Sequence, residues 1–352
     1  MALGLFALLA AMWGGLLRMG WRIPLLAGAS NYHGPLMVSG FLGTLIGLER
    51  AVALKRLWAY LGPAATGAGA LALAFDLQGS TGPLLMTLGS ACLVLVFAAI
   101  VRSQPALFTV TLGLGAVCWL VGNLLWLANR PIFMLVFWWA GFLVLTIWGE
   151  RLELARMRRP PRAALVLYAL ATLVVLAGLA LSVSRYALGA RVTGLGFVAL
   201  AAWLARYDVA WRTVRMQGLT RYIALCLLSG YFWLAAGGIL TAAYAGIPAG
   251  PLYDAMLHCV FLGFVFSMIF GHAPTIFPAV TGLPVPYRRS FYAHLGLLHF
   301  SLALRLAGDL GGWASVRQWG GLLNVAAILL FLAATLRFLP SALGARKTGE
   351  GR

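Results

Sequence analysis

Residues 257–272 read LHCVFLGFVFSMIFGH, an apolar run with His258 near one end, His272 at the other, and no ionisable group between them except Cys259. A stretch of this kind belongs in the interior of a bilayer, whose hydrocarbon core takes roughly 20 apolar residues per helix. Outward from it, eleven more such runs follow one another. The full set is approximately 2–17, 33–48, 57–75, 82–101, 106–128, 132–149, 164–184, 190–205, 222–245, 255–271, 290–307 and 320–336, the first two being short. Composition agrees: of 352 residues, 62% are hydrophobic and 10% charged, and the mean hydropathy is +0.93, well above the apolar share of an ordinary soluble domain.

The runs are about twice as long as a barrel strand requires and they do not alternate, so helices are expected rather than β-strands. The expected fold is all-α, a polytopic bundle of about twelve transmembrane helices forming a single integral membrane domain over residues 1–352. No soluble domain, low-complexity tract or long linker interrupts it. The first run has no basic segment before it and no small-residue cleavage site after it, which reads as a retained helix and not a removed signal peptide.

The net charge of +18 does not point to nucleic acid, because the basic residues are scattered through the breaks between runs. Loops after even-numbered runs, with the C-terminal tail, hold 19 of the 26 Lys and Arg. By the positive-inside rule both termini face the cytoplasm, with the lipid bilayer as the one partner the sequence names. The four cysteines, Cys92, Cys118, Cys226 and Cys259, lie inside apolar runs without a C-x-x-C pair, so neither a disulfide, a zinc ribbon nor covalent haem attachment is indicated.

Five histidines remain as candidate ligands. His33 begins run 2 and His258 lies a turn into run 10; both runs go from outside to inside, so both imidazoles are expected at the same outer depth and able to meet. His272 follows His258 by 14 residues, about 21 Å along an α-helix, too far to share an ion with it. It lies at the cytoplasmic side with His294, while His294 and His299 diverge around their helix. Below His33, Met37, Gly40, Thr44 and Gly47 fall near one face at α-helical spacing, a seam of small residues that admits a neighbouring backbone or a flat cofactor. Leu262, Val265 and Ile269 form the apolar counterpart below His258. Intramembrane ionisable residues are costly, which makes them functional candidates. The plain alternative is a neutral imidazole bonded to a backbone carbonyl. For His33 and His258 together, ligation of iron or copper is the expectation. Bis-histidine ligation would set their ring nitrogens roughly 4 Å apart, twice an imidazole–metal bond.

The residues that carry this expectation also carry a family resemblance. His258, Gly263, Met268, Gly271, Thr281, Gly282 and Pro284 make a pattern H-x4-G-x4-M-x2-G-x9-T-G-x-P that resembles the C-terminal core of the NnrS family. The stretch His33-Gly34-Pro35-Leu36-Met37-Val38-Ser39-Gly40-Phe41 is similar to that family's H-x-H-E-M-x-x-G-F. The resemblance covers about a fifth of the chain and implies a bacterial inner-membrane protein that binds haem and copper and serves the nitric oxide response. It implies His33 and His258 as metal or haem ligands, with Met37, Gly40 and Gly263 packed beside them. Where the family has a second histidine and a glutamate, this chain has Pro35 and Leu36; where an Arg and a His are expected after run 10, it has Thr275 and Val280. These departures touch the copper site more than the haem site. The layout is also similar to subunit I of the haem-copper oxidases, yet no histidine lies between His33 and His258, which excludes a complete oxidase site.

Two other classes compete with this reading. A twelve-helix secondary transporter has the same plan, but the eight acids, Glu49, Asp76, Glu150, Glu153, Asp208, Asp254, Asp309 and Glu350, all fall at run ends, in loops or in the tail. Glu49–Arg50 and Glu150–Arg151 read as interfacial ion pairs of little energetic weight, about 0–1 kcal/mol. An enzyme acting on lipid would use Glu150, Glu153 and the arginines of 156–162, where a solvated positive-inside loop is the simpler account. No catalytic residue is nominated, and no protein partner is indicated.

Overall fold

A computed structural model describes residues 1–77, 79–156, 159–282 and 285–336. Pro284 and the basic C-terminal tail, used above for the family pattern and the orientation, lie outside the described residues. Among the described residues the structure is entirely helical, with no strand. Every apolar run lies on a helix. In chain order these are α1 (Ala2–Arg18), α2 (His33–Leu54), α3 (Leu57–Ala74), α4 (Thr81–Ser103), α5 (Leu107–Leu127) and α6 (Ile132–Ala155). Then follow α7 (Arg162–Ser184), α8 (Tyr186–Tyr207), α9 (Gly218–Ala243), α10 (Pro251–His258, Cys259–Phe266 and Ser267–Thr281), α11 (Phe291–Gly311) and α12 (Ala314–Leu336).

Ten of these, among the described residues, are long and apolar enough to cross a membrane. The two that fall short do so for different reasons. Helix α1 has only 17 residues, whereas α11 is long enough but carries His294, His299, Arg305 and Asp309. The apolar faces turned outward fit lipid contact: Leu88 and Leu95 on α4, and Val166, Leu167, Leu170 and Leu173 on α7, are half or more exposed. Water would penalise such faces at about 25 cal/mol per Å² of apolar surface; hydrocarbon would not.

The chain divides into two compact units, Met1–Leu200 with Gly238–Tyr253, and Ala201–Gly237 with Asp254–Arg352. In unit 1 the centre is α6. It is apolar on every side, the pattern of a helix enclosed by others, and each residue from Leu135 to Gly149 is buried. Its Trp148 stacks on Tyr168 of α7 with ring centres 4.2 Å apart and planes 3° from parallel. Such a pair contributes about 0.5–1.5 kcal/mol beyond its area. Trp119 of α5 stacks likewise on Phe142, at 4.7 Å and 7°. Trp138 and Trp139 are buried in the same core.

Unit 2 is built from the start of α9 with α10, α11 and α12. Phe270 of α10 stacks on Phe331 of α12 at 4.3 Å, and both enclose His294 of α11.

Among the described residues two helices carry π-helical segments, Leu36–Gly43 in α2 and Cys259–Phe266 in α10. Each is an eight-residue π-helical segment. Widening the hydrogen-bonded ring by one residue is unfavourable, and π turns mostly occur singly and at functional sites. In unit 1 the segment opens three residues after His33; in unit 2 it opens on the residue after His258.

Candidate functional site

The two histidines nominated from sequence belong to different units, His33 with Met37 and Gly40 to unit 1, His258 with Gly263 to unit 2. In unit 1, His33 is the first residue of α2 and its Nδ1–H donates to the carbonyl of Ala11 on α1, at 2.6 Å. The ring rests on Gly15, where a Cβ would stand 3.0 Å from Cε1 and 3.2 Å from Nδ1. Met37 and Gly40 follow within the π segment, both buried. Gly40 lets three helices close up: a Cβ there would come within 3.1 Å of both Ala7 and Ala70.

A neutral polar network steadies that segment from the other side. Ser39 accepts from the Trp119 indole N–H at 2.9 Å and donates to the Asn123 carbonyl at 3.4 Å. Asn123 also accepts from Trp139 at 3.0 Å and donates to the Met86 carbonyl at 3.1 Å. Gly43 lies against the Trp119 ring, where a Cβ would stand 2.2 Å from Cζ2.

In unit 2, His258 closes the first α-helical part of α10 and its Nδ1–H donates back to the Asp254 carbonyl oxygen at 2.9 Å, with the Asp254 carboxylate Oδ1 at 3.2 Å. That carboxylate receives a bidentate Arg305 from α11, Nε to Oδ2 at 2.7 Å and Nη2 to Oδ1 at 2.8 Å. Arg317 of α12 reaches to 3.9 Å from Oδ1 and lies 2.7 Å from Asp309. Asp254 stands in the first turn of α10, and Asp309 in the last turn of α11 with its side chain wholly buried. Gly263 presses on Trp233 of α9, whose Cβ and Cγ would both be 2.4 Å from an added Cβ. The Trp233 indole N–H donates to His299 Nδ1 at 3.0 Å.

Hydrogen-bond direction sorts the five imidazoles. A carbonyl can only accept, so His33, His258 and His272, whose Nδ1 bonds the Met268 carbonyl at 2.7 Å, all carry a proton on Nδ1, and in the neutral ring the lone pair is then on Nε2. That is the tautomer of an Nε2 metal ligand. His299 has the reverse form: it accepts at Nδ1, and its buried Nε2–H finds no acceptor among the described residues. His294 has its Nε2 bonded to the Tyr222 hydroxyl at 2.9 Å inside a cage of Phe270, Phe291 and Phe331. Both are structural in these roles. His258 adds the Asp254 carboxylate to the carbonyl.

A family described as a domain of unknown function, DUF8744, matches residues 1–339. The chain belongs to the DUF8744 family. None of the curated proteins matches it. For this DUF8744 member the geometry above therefore carries the functional argument alone.

Among the described residues no three His, Cys, Asp or Glu side chains converge as a metal-holding group. A haem iron makes no such demand, since the porphyrin supplies four of its ligands and the protein one or two axial ones. The four cysteines are free thiols.

What the sequence reading missed is the ionic partnership. Asp254 and Arg305 are 51 residues apart and were visible only as charges at run ends. In unit 1, Arg50 pairs with its neighbour Glu49 at 3.5 Å and also, across helices, with Glu150. Arg151 is buried, 2% exposed, so it is not the surface partner that the adjacent Glu150 suggested.

Proposed function

We propose that the chain is a haem-binding protein of the bacterial inner membrane, with twelve helices across the bilayer and both termini cytoplasmic, in which His258 would hold the haem iron and His33 is the other ligand candidate. The role that fits is the one implied by the NnrS resemblance: binding or sensing nitric oxide, or handling haem and metal. The observation that carries this reading is the anchoring of His258 by Asp254 at the mouth of a π-helical segment. It holds the proton on Nδ1, which in the neutral ring leaves the lone pair on Nε2, and it does so with a charged partner, which a purely structural helical histidine does not need.

His33 supports the reading in a weaker form, with the same tautomer set by a neutral carbonyl. The donor set favours haem over copper, because copper sites draw on several converging protein side chains. A bound haem would supply an iron that takes up nitric oxide. The twelve-helix carrier is the second reading, supported by the buried carboxylates Asp254 and Asp309 in unit 2.

The test is an optical spectrum of the purified full-length protein with and without nitric oxide. A Soret band that shifts on adding the gas, and that is lost or changed in coordination in His258→Ala and His33→Ala, is the expected outcome. A well-folded preparation that takes up no haem abolishes the proposal and leaves the carrier.

A further inference from the structure

We infer that Asp254 is a positioning residue for the His258 imidazole: it makes Nε2 a stronger, more anionic donor, and Arg305 sets how much of that negative charge the ring receives. This rests on the reading of His258 as an iron ligand, and it adds a means of tuning the iron that neither the family nor the sequence pattern supplies.

The argument starts from redundancy. To fix which ring nitrogen of a histidine carries the proton, a hydrogen bond to one backbone carbonyl is enough. His258 has that same bond to the Asp254 carbonyl at 2.9 Å, and the Asp254 side chain is turned to the same nitrogen as well, Oδ1 at 3.2 Å. Placing a carboxylate there is costly, because a buried charge demands partners. The partners are present: Arg305 grips both oxygens, at 2.7 and 2.8 Å, and Arg317 stands 3.9 Å from Oδ1 while pairing with Asp309.

Oδ1 therefore faces both the imidazole Nδ1, at 3.2 Å, and the arginine side. A carboxylate behind an Nδ1–H draws the proton towards itself and raises electron density at Nε2, as outer-shell partners do for ligating histidines. The bidentate arginine offsets part of this. The pair thus acts in opposition on one ring, carboxylate raising its donor strength and guanidinium lowering it.

The test compares Asp254→Asn, Arg305→Gln and the double variant in the full-length, haem-loaded protein, reading the ferric/ferrous midpoint potential. Asp254→Asn should raise the potential, its ferric-to-ferrous affinity ratio falling about tenfold, equivalent to roughly 59 mV for one electron. Arg305→Gln should lower it, an opposite sign that mere loosening of the helices does not produce. The double variant leaves no charge of this pair unpartnered and is the one best placed to keep its fold. In protein without haem, the His258 Nδ1–H proton resonance, assigned with His258→Gln, should move upfield in both variants that lack the carboxylate. Unchanged potentials and an unchanged resonance overturn the inference while the haem reading stands. A native protein that takes up no haem, or a His258→Ala variant with native coordination, overturns the haem reading, and the resonance then still reports whether Asp254 polarises the ring.

Discussion

The stretches that follow His33 and His258 are the same device built from different chemistry. In each, a histidine with its proton on Nδ1 precedes eight π-helical residues, and a glycine of the segment lies flat against a tryptophan, Gly43 on Trp119 and Gly263 on Trp233. In unit 1 the support is neutral: a carbonyl for His33, and the Ser39, Trp119, Asn123 and Trp139 bonds within the helices. In unit 2 it is ionic, and the charges are confined to helix ends, Asp254 at the start of α10 and Asp309 at the close of α11. The difference follows from the solvent. Hydrogen-bonded neutral groups are tolerated along an apolar helix, while charges are tolerated near its ends.

The most direct way to break this comparison is to remove one member from each network. Asp254→Ala leaves Arg305 buried and without its carboxylate, and such a deletion costs about 3–5 kcal/mol. Asn123→Ala leaves the Trp139 N–H and the Ser39 hydroxyl short of a partner, at about 1–3 kcal/mol. Denaturation in mixed detergent micelles should therefore rank the aspartate variant clearly below the asparagine variant. Equal losses would mean that the ionic cluster is no more than another polar contact.

Next in size come the glycines. At Gly263 an added methyl meets Trp233 at Cβ and Cγ, the root of the side chain, which cannot swing aside. At Gly43 it meets the outer ring atoms of Trp119, but that ring is held by Phe142 and by Ser39. Gly263→Ala should cost near the upper end of the roughly 1–3 kcal/mol typical of overpacking, and Gly43→Ala somewhat less. Gly34→Ala, with nothing within 4 Å, serves as the control. If Gly43→Ala proves the more damaging, the neutral network is the stiffer of the two supports.

Hydropathy made the helices legible. The runs 82–101 and 164–184 became Thr81–Ser103 and Arg162–Ser184, because an apolar stretch of that length has one stable form in hydrocarbon. The π segments were not legible. LMVSGFLG and CVFLGFVF are apolar like their flanks, and hydropathy does not see which carbonyl a backbone N–H chooses. The α-helical spacing drawn from His33 to Met37 and Gly40, and from His258 to Leu262, passes through residues that are π-helical. His258 was legible as a buried ionisable group. Its carboxylate was half legible: Asp254 stands one turn earlier, at a spacing any helix brings together, but the arginine that gives it meaning is 51 residues further along the chain.

The smallest expected effect separates His258 from its nearest look-alike. His272 sits on the same helix and donates through the same nitrogen to the carbonyl four residues before it. His258 has in addition the Asp254 carboxylate, with Oδ1 3.2 Å from its Nδ1. His272→Ala removes one side-chain bond to a backbone oxygen that keeps its place in the helix, so stability should fall by about 1 kcal/mol or less. Haem uptake and the Soret position should match the native protein, whereas His258→Ala should lose or alter both. A His272 variant that loses haem as completely would show that the tautomer alone, which the two residues share, selects the ligand. The carboxylate behind His258 would then have to be explained as a clamp between α10 and α11.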